Sequence, residues 1–176
     1  MPPRSSAATP AIAAAASAGI EHTVHSYAHD PAAQSYGMEA VDALGIDASI
    51  VFKTLLTEID GDAVCALVPV TTTVSLKALA QIHGGKRATM MEPAKAQRLT
   101  GYVVGGISPI GQRTPCPTYV DSSALSHDRV YVSAGRRGLE LSLSPVDLID
   151  LIGARAAPIA TPNPAPGVTS GRKQGG

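Results

Sequence analysis

The stretch Ile50-Val-Phe-Lys-Thr-Leu-Leu-Thr-Glu-Ile-Asp-Gly-Asp-Ala-Val-Cys-Ala-Leu-Val-Pro-Val70 decides the fold of this chain. It contains two apolar, β-branched runs, residues 50–59 and 63–70, separated by Asp60-Gly61-Asp62. An Asp-Gly pair between two such runs is a strong hairpin signal, because these residues tolerate the positive φ angles of tight hairpin turns. The stretch therefore predicts an antiparallel pair that anchors a sheet.

Helix and strand signals alternate irregularly on both sides of this hairpin. Helices are predicted, from capping residues and terminal glycines, for residues 10–18, 38–44, 76–83, 93–100 and 145–152. Further strands are predicted for residues 21–27, 102–105, 118–121, 129–133 and 139–143. Because hairpins and helical crossovers mix, we expect a single α/β domain with a mixed, mostly antiparallel sheet flanked by helices.

Length and composition favour one domain with tails at both ends. The chain has 176 residues and 44% hydrophobic content, enough for one buried core. We expect a flexible tail at residues 1–8, a folded domain at residues 9–157 and a disordered, Pro/Gly-rich tail at residues 158–176. The Ala-rich segment at residues 11–18 is better explained by a helix than by a secretory signal, and no run is long enough for a membrane span.

Charge and cysteine content narrow the partners and the compartment. The formal net charge is zero, so no broad electrostatic footprint for DNA or a membrane surface is expected. Aromatic residues make up 3% of the chain, which argues against a platform that stacks single-stranded bases. Cys65 and Cys116 fit no ligand pattern, and a reduced, cytoplasmic protein is expected.

A glycine-rich stretch, Gly101-Tyr-Val-Val-Gly-Gly-Ile-Ser-Pro-Ile-Gly111, has the features of a rigid pocket wall. Gly105 and Gly106 would let a ligand approach backbone N–H groups closely. Pro109 fixes φ and removes one donor, so the remaining donors point in defined directions. The alternative is a loop whose glycines serve only as turn residues.

Lys53 interrupts an otherwise apolar strand. Alternation places it on one face with Val51 and Leu55, whereas Thr54 projects to the opposite face. A lysine in such surroundings either extends to solvent or meets an anion, because an unpaired buried charge is costly. The sequence therefore predicts that Lys53 borders a cavity or the surface.

Neither an attacking serine nor a metal site is predicted. The segment around Ser108 has one residue too many for GxSxG, and Pro109 lacks the N–H that this motif uses. His22, His25 and His29 lack metal-ligand spacing, so no metal is expected. We expect His25 and His29 either to brace a pocket or to be ordinary packing residues.

Two further features of the sequence concern phosphate and nucleotide binding. The turn Arg136-Arg137-Gly138 could hold a phosphate or could be a solvated turn. The chain has neither a Walker loop nor GxGxxG, and no cofactor is expected.

Five segments share their order and spacing with one known family. They are His25-Ser-Tyr-Ala-His-Asp-Pro31, Val51-Phe-Lys-Thr-Leu-Leu56, Ala96-Gln-Arg-Leu-Thr-Gly-Tyr102, Val104-Gly-Gly-Ile-Ser-Pro-Ile-Gly-Gln112 and Tyr131-Val-Ser-Ala-Gly-Arg-Arg-Gly138. Together they resemble the YbaK-type aminoacyl-tRNA deacylases, over roughly residues 9–151. Ala134 stands where the family has a glycine, and Arg136 replaces its lysine, which keeps the charge.

The resemblance implies the fold of the prolyl-tRNA synthetase editing domain and an enzyme that clears mischarged Cys-tRNA(Pro). It implies that the substrate's own thiol attacks the ester. Lys53 would hold the tRNA terminus or the ester oxygen, and N–H groups around Gly106 and Ser108 would stabilise the oxyanion. Other residues would bind the substrate or shape its pocket: Tyr27, Tyr36, Thr54, Gly105, Ile107 and Pro109.

The expected partners are the acceptor end of mischarged tRNA and prolyl-tRNA synthetase. Because the net charge is zero, we expect the synthetase to supply much of the tRNA-binding surface. The sequence leaves two other functions open. One is a deacylase for another small amino acid such as alanine, and the other is a non-catalytic module that binds tRNA or a synthetase.

Overall fold

The computed structural model describes residues 8–33 and 35–163. The helices are α1 (Pro10–Ser17), α2 (Tyr36–Leu44), α3 (Leu76–His83), α4 (Pro93–Thr100) and α5 (Pro145–Ile152). The strands are β1 (His22–Ser26), β2 (Phe52–Ile59), β3 (Asp62–Pro69), β4 (Thr72–Val74), β5 (Ala88–Met90), β6 (Thr118–Asp121), β7 (Val130–Arg136), β8 (Leu139–Leu143), β9 (Arg155–Ala157) and β10 (Ala160–Pro162). Short 3₁₀ turns occur at Ala48–Ile50 and Ser122–Ser126.

The strands of the described residues form three sheets. One has the order β5-β2-β3-β6-β9, a second has the order β1-β8-β7, and β10 pairs with β4 in a third. The pairs β3–β6 and β6–β9 are parallel, and the others are antiparallel. The predicted fold class, α/β with mixed and mostly antiparallel pairing, is confirmed. The division into three sheets was not apparent from the sequence, because β4, β5, β9 and β10 are each three residues long.

The hairpin predicted from residues 50–70 is confirmed and lies in the middle of the largest sheet. β2 pairs with β3 from Phe52↔Pro69 to Ile59↔Asp62. Asp60 and Gly61 turn the chain with φ angles of 50° and 90°, as a tight hairpin requires. The Asp60 carboxylate also accepts N–H bonds from Lys86 and Arg87 (2.8 and 3.0 Å), which fixes the loop before β5.

The five-stranded sheet is covered on both faces. Leu67 of β3 belongs to a cluster with Leu141 of β8 and Leu148 of α5. The next residue, Val68, belongs to a second cluster with Leu79 of α3. Because successive strand residues point to opposite faces, β3 is buried on both sides, with α3 on one face and α1, α4, α5 and β8 on the other.

Residues 102–105, predicted as a strand, instead form a turn, so this prediction was wrong. The Gly106 N–H donates to the Val103 carbonyl (2.9 Å), and Gly105 has a φ of 87°. Tyr102, buried at the start of the turn, donates from its hydroxyl to the Ile110 carbonyl (2.7 Å). The apolar residues of this segment therefore anchor a loop rather than pair with a strand.

Ordered structure continues past residue 157, where the sequence analysis placed the end of the domain. Ile159 is fully buried, and the backbone N–H groups of Ile159 and Ala160 donate to Asp121 Oδ1 (3.0 and 2.9 Å). β10 then pairs with β4. Proline content alone did not reveal this strand, because its partners are distant in sequence. Residues 1–7 and 164–176 of the predicted tails lie outside the described residues.

Candidate active site

A cavity of about 330 Å³ opens between the two larger sheets and the N-terminus of α2. Its size lies at the low end of the roughly 300–1,000 Å³ range of small-molecule sites. It is lined by Ser35, Tyr36, Gly37, Val51, Phe52, Lys53, Thr54, Leu55, Val70, Val104, Gly105, Ile107, Ser133 and Glu140. A small, partly polar ligand would fill it.

The cavity lies along the first half of β2. β5 pairs with β2 only at Thr57–Ile59, and Val51, just before the strand, bridges to Tyr131 of β7. The cavity lies beside the residues of β2 between Val51 and Thr57. Lys53 and Thr54 therefore both line it, although alternation sends them to opposite faces of the sheet.

Lys53 is partly buried, as its position in an apolar strand suggested. Burial lowers the pKa of its ammonium group, since loss of water disfavours the charged form. Its Nζ forms no ion pair with a carboxylate of residues 8–33 or 35–163. The amine is therefore available to an anionic or carbonyl group of a ligand.

Glu140 is a buried carboxyl group in the same cavity, and the sequence analysis missed it. It is 8% exposed and lies in register with His25 of β1 and Ser133 of β7. Within the described chain its Oε2 has no hydrogen-bond partner, and burial raises its pKa to about 8. A carboxyl group in this state would gain by binding a cationic or hydrogen-bonding group.

A signal for Glu140 was present in the sequence. In Leu139-Glu-Leu-Ser-Leu143, three leucines alternate with two polar residues, which is typical of a strand with one solvated face. All five residues are buried, because β8 lies between β1 and β7. The polar face of β8 is buried because the strand lies at the centre of its sheet, and the sequence of the strand alone does not reveal that position.

Thr54 adds a second unsatisfied polar group. Its Oγ1 is buried and has no partner in the described part of the chain. An unmade hydrogen bond at a buried hydroxyl typically costs about 1–3 kcal/mol. A ligand in the cavity could satisfy this hydroxyl, so a binding role for Thr54 stays a prediction.

Two glycines let the loop after α4 form the wall opposite β2. A Cβ on Gly105, at a φ of 87°, would lie 2.7 Å from the Tyr36 ring. A Cβ on Gly106 would lie 2.6 Å from the Arg136 Cα. Both positions therefore require glycine for close packing, Gly105 also for its φ angle, and the loop is held against α2 and the turn after β7.

Some backbone N–H groups of this loop donate hydrogen bonds within the protein, and others have no acceptor among the described residues. Gly106 donates to the Val103 carbonyl (2.9 Å) and Val104 donates to Gln97 Oε1 (3.0 Å). The N–H groups of Gly105, Ile107 and Ser108 have no acceptor in the described structure. Of these three residues, Gly105 and Ile107 line the cavity, whereas Gly106, expected to donate to the oxyanion, uses its N–H within the turn.

The structure thus brings together five of the nine predicted site residues. Tyr36, Lys53, Thr54, Gly105 and Ile107 all line the cavity, whereas Tyr27, Gly106, Ser108 and Pro109 do not. Roles of all nine in binding or catalysis stay predictions.

The four remaining residues support the cavity from behind or beside it. Ser108 is fully buried, and its Oγ accepts the Ile110 N–H (3.2 Å). Pro109 lines a separate cavity of about 170 Å³ behind the loop. Tyr27 donates its N–H to the Gly138 carbonyl (2.9 Å), and burial together with the charges of Glu140 and Glu39 raises its pKa to about 12. Gly106 packs against the Arg136 backbone.

The histidines considered as ligands make other contacts. His25 Nε2 is 2.9 Å from Ser142 Oγ, and its ring lies 5.0 Å from the Tyr131 ring. His29 Nδ1 is 2.9 Å from Glu39 Oε2. No group of three or more metal-binding side chains occurs among the described residues. The two histidines brace the region beside the cavity.

The α/β domain that carries this cavity matches a known family of proteins. The family model described as "Aminoacyl-tRNA editing domain" matches residues 30–151. The chain belongs to this aminoacyl-tRNA editing domain family, which confirms the resemblance seen in the sequence.

Individual relatives agree with this assignment. EbsC of Enterococcus faecalis (strain ATCC 700802 / V583), provisionally named a Cys-tRNA(Pro)/Cys-tRNA(Cys) deacylase, is 36% identical over 121 residues, covering 68% of this chain and 74% of that protein. A crystal structure described provisionally as a trans-editing enzyme for prolyl-tRNA synthetase is 25% identical, with a TM-score of 0.76 over 89% of this chain and 98% of that one. Hypothetical protein APE2540, 22% identical, shares the fold with a TM-score of 0.77 over 87% of this chain and 100% of that one. No helix of the described residues is long and apolar enough to cross a membrane.

Proposed function

We propose that this protein is a trans-editing deacylase that removes cysteine from mischarged Cys-tRNA(Pro). The observation that carries the proposal is that Lys53 and Glu140 line one small cavity without forming an ion pair among the described residues. Family membership and the name of EbsC supply the substrate class.

An aminoacyl ester complements this pair of groups. At its α-carbon it carries an amine that is cationic near neutral pH, and one bond further it carries the ester carbonyl. The Glu140 carboxyl group is suited to the amine, because a bound cation favours its charged form, and Lys53 is suited to the carbonyl oxygen or the nearby terminal ribose. Because the cavity is about 330 Å³, a small side chain such as that of cysteine fits the space better than a large one.

The need for such an enzyme follows from the limits of apolar recognition. Cysteine and proline are similar in size, and a pocket that differs by about one methylene discriminates by only about 1–3 kcal/mol. A second site that recognises the error after transfer to tRNA raises the accuracy. The thiol of cysteine gives that second site a chemical property that proline lacks.

The chemistry proceeds with the substrate's own nucleophile. The cysteine sulfur attacks the ester carbonyl carbon, a C–S bond forms, and the C–O bond to the terminal ribose breaks. The thiol proton ends on the departing ribose oxygen, so the products are a cyclic thiolactone and free tRNA. The chain would hold the reacting atoms in place and stabilise the oxyanion with Lys53 and the unused N–H groups of Gly105 and Ile107.

The chain's own candidate nucleophiles are poorly placed, which supports this route. Cys65 is fully buried, and burial, with the neighbouring Cys116, raises its pKa to about 12. Burial also raises the pKa of Cys116. The Ser108 hydroxyl is enclosed and accepts a backbone N–H bond. Thiols that stay protonated are weak nucleophiles.

Two partners belong to this proposal. The acceptor end of the mischarged tRNA would enter the cavity, and prolyl-tRNA synthetase would add binding surface, because the zero net charge gives the protein little general affinity for RNA. Tight binding of tRNA by the protein alone at physiological salt, unchanged by added synthetase, would rule out the second partner.

The test is release of labelled amino acid from Cys-tRNA(Pro) and Ala-tRNA(Pro) by the wild type, Lys53→Ala and the control Lys77→Ala on the exposed side of α3. Cysteine release that falls on the order of 10²-fold in Lys53→Ala alone supports the proposal. Release of alanine would instead place the protein among deacylases for other small residues. No release of either would make it a binding module.

A further inference from the structure

The charge of this neutral protein is unevenly distributed around the cavity mouth. Asp30, Glu39 and Asp42 line a shallow depression of about 590 Å³ beside α2. Ser35 lines both this depression and the cavity. We call this side the acidic rim, defined by Asp30 and Asp42, because the Glu39 carboxylate is bonded to His29.

The side of the cavity mouth formed by the glycine loop and its neighbours is basic. Residues 93–120 and 129–139 contain no Asp or Glu. These segments carry the exposed arginines Arg98, Arg113 and Arg136, none of which pairs with a carboxylate of the described residues. We call this side the basic rim, defined by those three arginines.

The members of the basic rim surround the glycine loop. Gln97, next to Arg98, accepts the Val104 N–H at 3.0 Å. The Arg113 guanidinium passes over Gly101, 3.5 Å from the position of a Cβ there. On the other side, Gly106 packs against the Arg136 backbone. The rim is thus continuous with the loop whose residues Val104 and Gly105 line the cavity.

Arg137 differs from its neighbours, because its guanidinium is already engaged. Its Nε donates to the Val104 carbonyl (2.9 Å), and the group lies over the Tyr36 ring. We therefore leave it out of the basic rim. The side chains of Arg98, Arg113 and Arg136 have no such hydrogen bonds within the described structure.

We propose that the basic rim binds phosphates of the RNA strand that carries the aminoacyl ester, so that this strand reaches the cavity over the glycine loop and away from the acidic rim. Three exposed guanidinium groups suit phosphate oxygens, which they bind in bidentate fashion. Val103, 49% exposed in the same glycine loop, offers an apolar contact to a base or ribose. The acidic rim repels the same strand on the α2 side.

This inference rests on the proposed deacylase function and adds the direction of approach. It also refines the expectation drawn from the zero net charge, because a local patch contributes where the average charge does not. The binding should be weak and its salt dependence shallow, with a slope of log K against log[salt] of about −2 to −3, since it involves about three phosphates.

The experiment compares Arg98→Gln/Arg113→Gln with Lys77→Gln, a loss of charge on α3. That helix packs on the opposite face of the five-stranded sheet from the cluster that contains Ala96 of α4. Two substrates are used with each protein: Cys-tRNA(Pro), and the cysteinyl ester of adenosine, which has no phosphate. KM, kcat and their dependence on salt are measured at low ionic strength.

We expect the double variant to raise KM for Cys-tRNA(Pro) on the order of tenfold and to reduce the salt slope of log kcat/KM by about 1 per lost contact. Its kinetics on the adenosine ester should match the wild type. Equal losses on both substrates, equal losses in Lys77→Gln, or an unchanged KM for the tRNA would each overturn the proposal.

Failure of the deacylase function itself would look different. In that case the wild type would release cysteine from neither substrate. The basic rim would then be tested by titrating uncharged tRNA(Pro) into the same proteins. Loss of binding in the double variant only would support the surface, and equal binding by all three proteins would overturn it.

Discussion

The guanidinium group of Arg137 packs over the ring of Tyr36, and both residues contact the glycine loop. The Arg137 guanidinium carbon lies 5.1 Å from the centre of the Tyr36 ring, and its Nε donates to the Val104 carbonyl. The same ring leaves no room for a side chain on Gly105. The two residues therefore fix the loop whose residues Gly105 and Ile107 line the cavity.

Replacing Arg137 by Ala should lower kcat more than it changes KM on the cysteinyl ester of adenosine. A displacement of about 1 Å in a positioned group can cost about 10²-fold in rate, so we expect a loss between tenfold and that value. Arg137→Lys keeps a cation near Tyr36 but loses the Nε hydrogen bond, and it should fall in between. The neighbouring Arg136→Gln should leave kcat on this substrate unchanged. A change in KM alone would contradict a positioning role.

Gly105→Ala should remove activity, whereas Gly45→Ala should not. Both residues have positive φ (87° and 63°), which costs alanine roughly 1–2 kcal/mol. A Cβ at Gly45 would contact nothing within 4 Å, whereas one at Gly105 would collide with Tyr36. Urea unfolding should show destabilisation in both variants, and deacylation should fall only in Gly105→Ala. Full activity in Gly105→Ala would show that this wall need not be rigid.

Thr54→Val should preserve or raise stability while lowering turnover. The Thr54 hydroxyl is buried without a partner in the described chain, so its removal deletes an unsatisfied group worth about 1–3 kcal/mol. Thr57→Val is the matched control in the same strand, because Thr57 Oγ1 donates to the Val64 carbonyl (2.8 Å). That variant should lose about 1 kcal/mol and keep its kinetics. The melting temperatures and kcat of the two proteins check the contrast, which fails if both shift alike.

Glu140→Gln should flatten the pH dependence of stability. The pKa of Glu140 is raised from 4.5 to about 8 in the folded protein. Between these values the folded state holds a proton that the unfolded state has released, so the free energy of unfolding falls as pH rises through this range. The glutamine variant lacks this contribution. Urea titrations from about pH 5 to about pH 9 should give a downward slope that is steeper in the wild type, and parallel slopes would contradict the buried carboxyl group.

The hairpin and the helix ends could be predicted because their signals are local. Asp60-Gly61 alone identifies a tight turn, and Gly84 and Gly101 end α3 and α4 in the left-handed conformation, as expected of a C-terminal glycine. Residues 102–105 were misassigned because apolar residues that anchor a loop look the same in sequence as those of a buried strand. β10 was missed because its pairing partner lies about 90 residues away in sequence.

Only part of the candidate site could be predicted for the same reason. Lys53 is conspicuous because a charge interrupts an apolar run, and the glycine loop is conspicuous by composition. Glu140 is ordinary in sequence and becomes unusual only when β1 and β7 enclose its strand. Which N–H of the loop is free also depends on the turn at Val103, which the sequence does not specify.

Lys53 and Glu140 are carried by different sheets, one by β2 and the other by β8. The separation between them is therefore a property of how the sheets stack, with Val51 and Tyr131 at their junction. A core substitution that slides one sheet over the other would change which amino acids the cavity accepts without touching its lining. Substitutions in the hydrophobic core could thus alter the substrate selectivity of this protein without changing any residue that contacts the substrate.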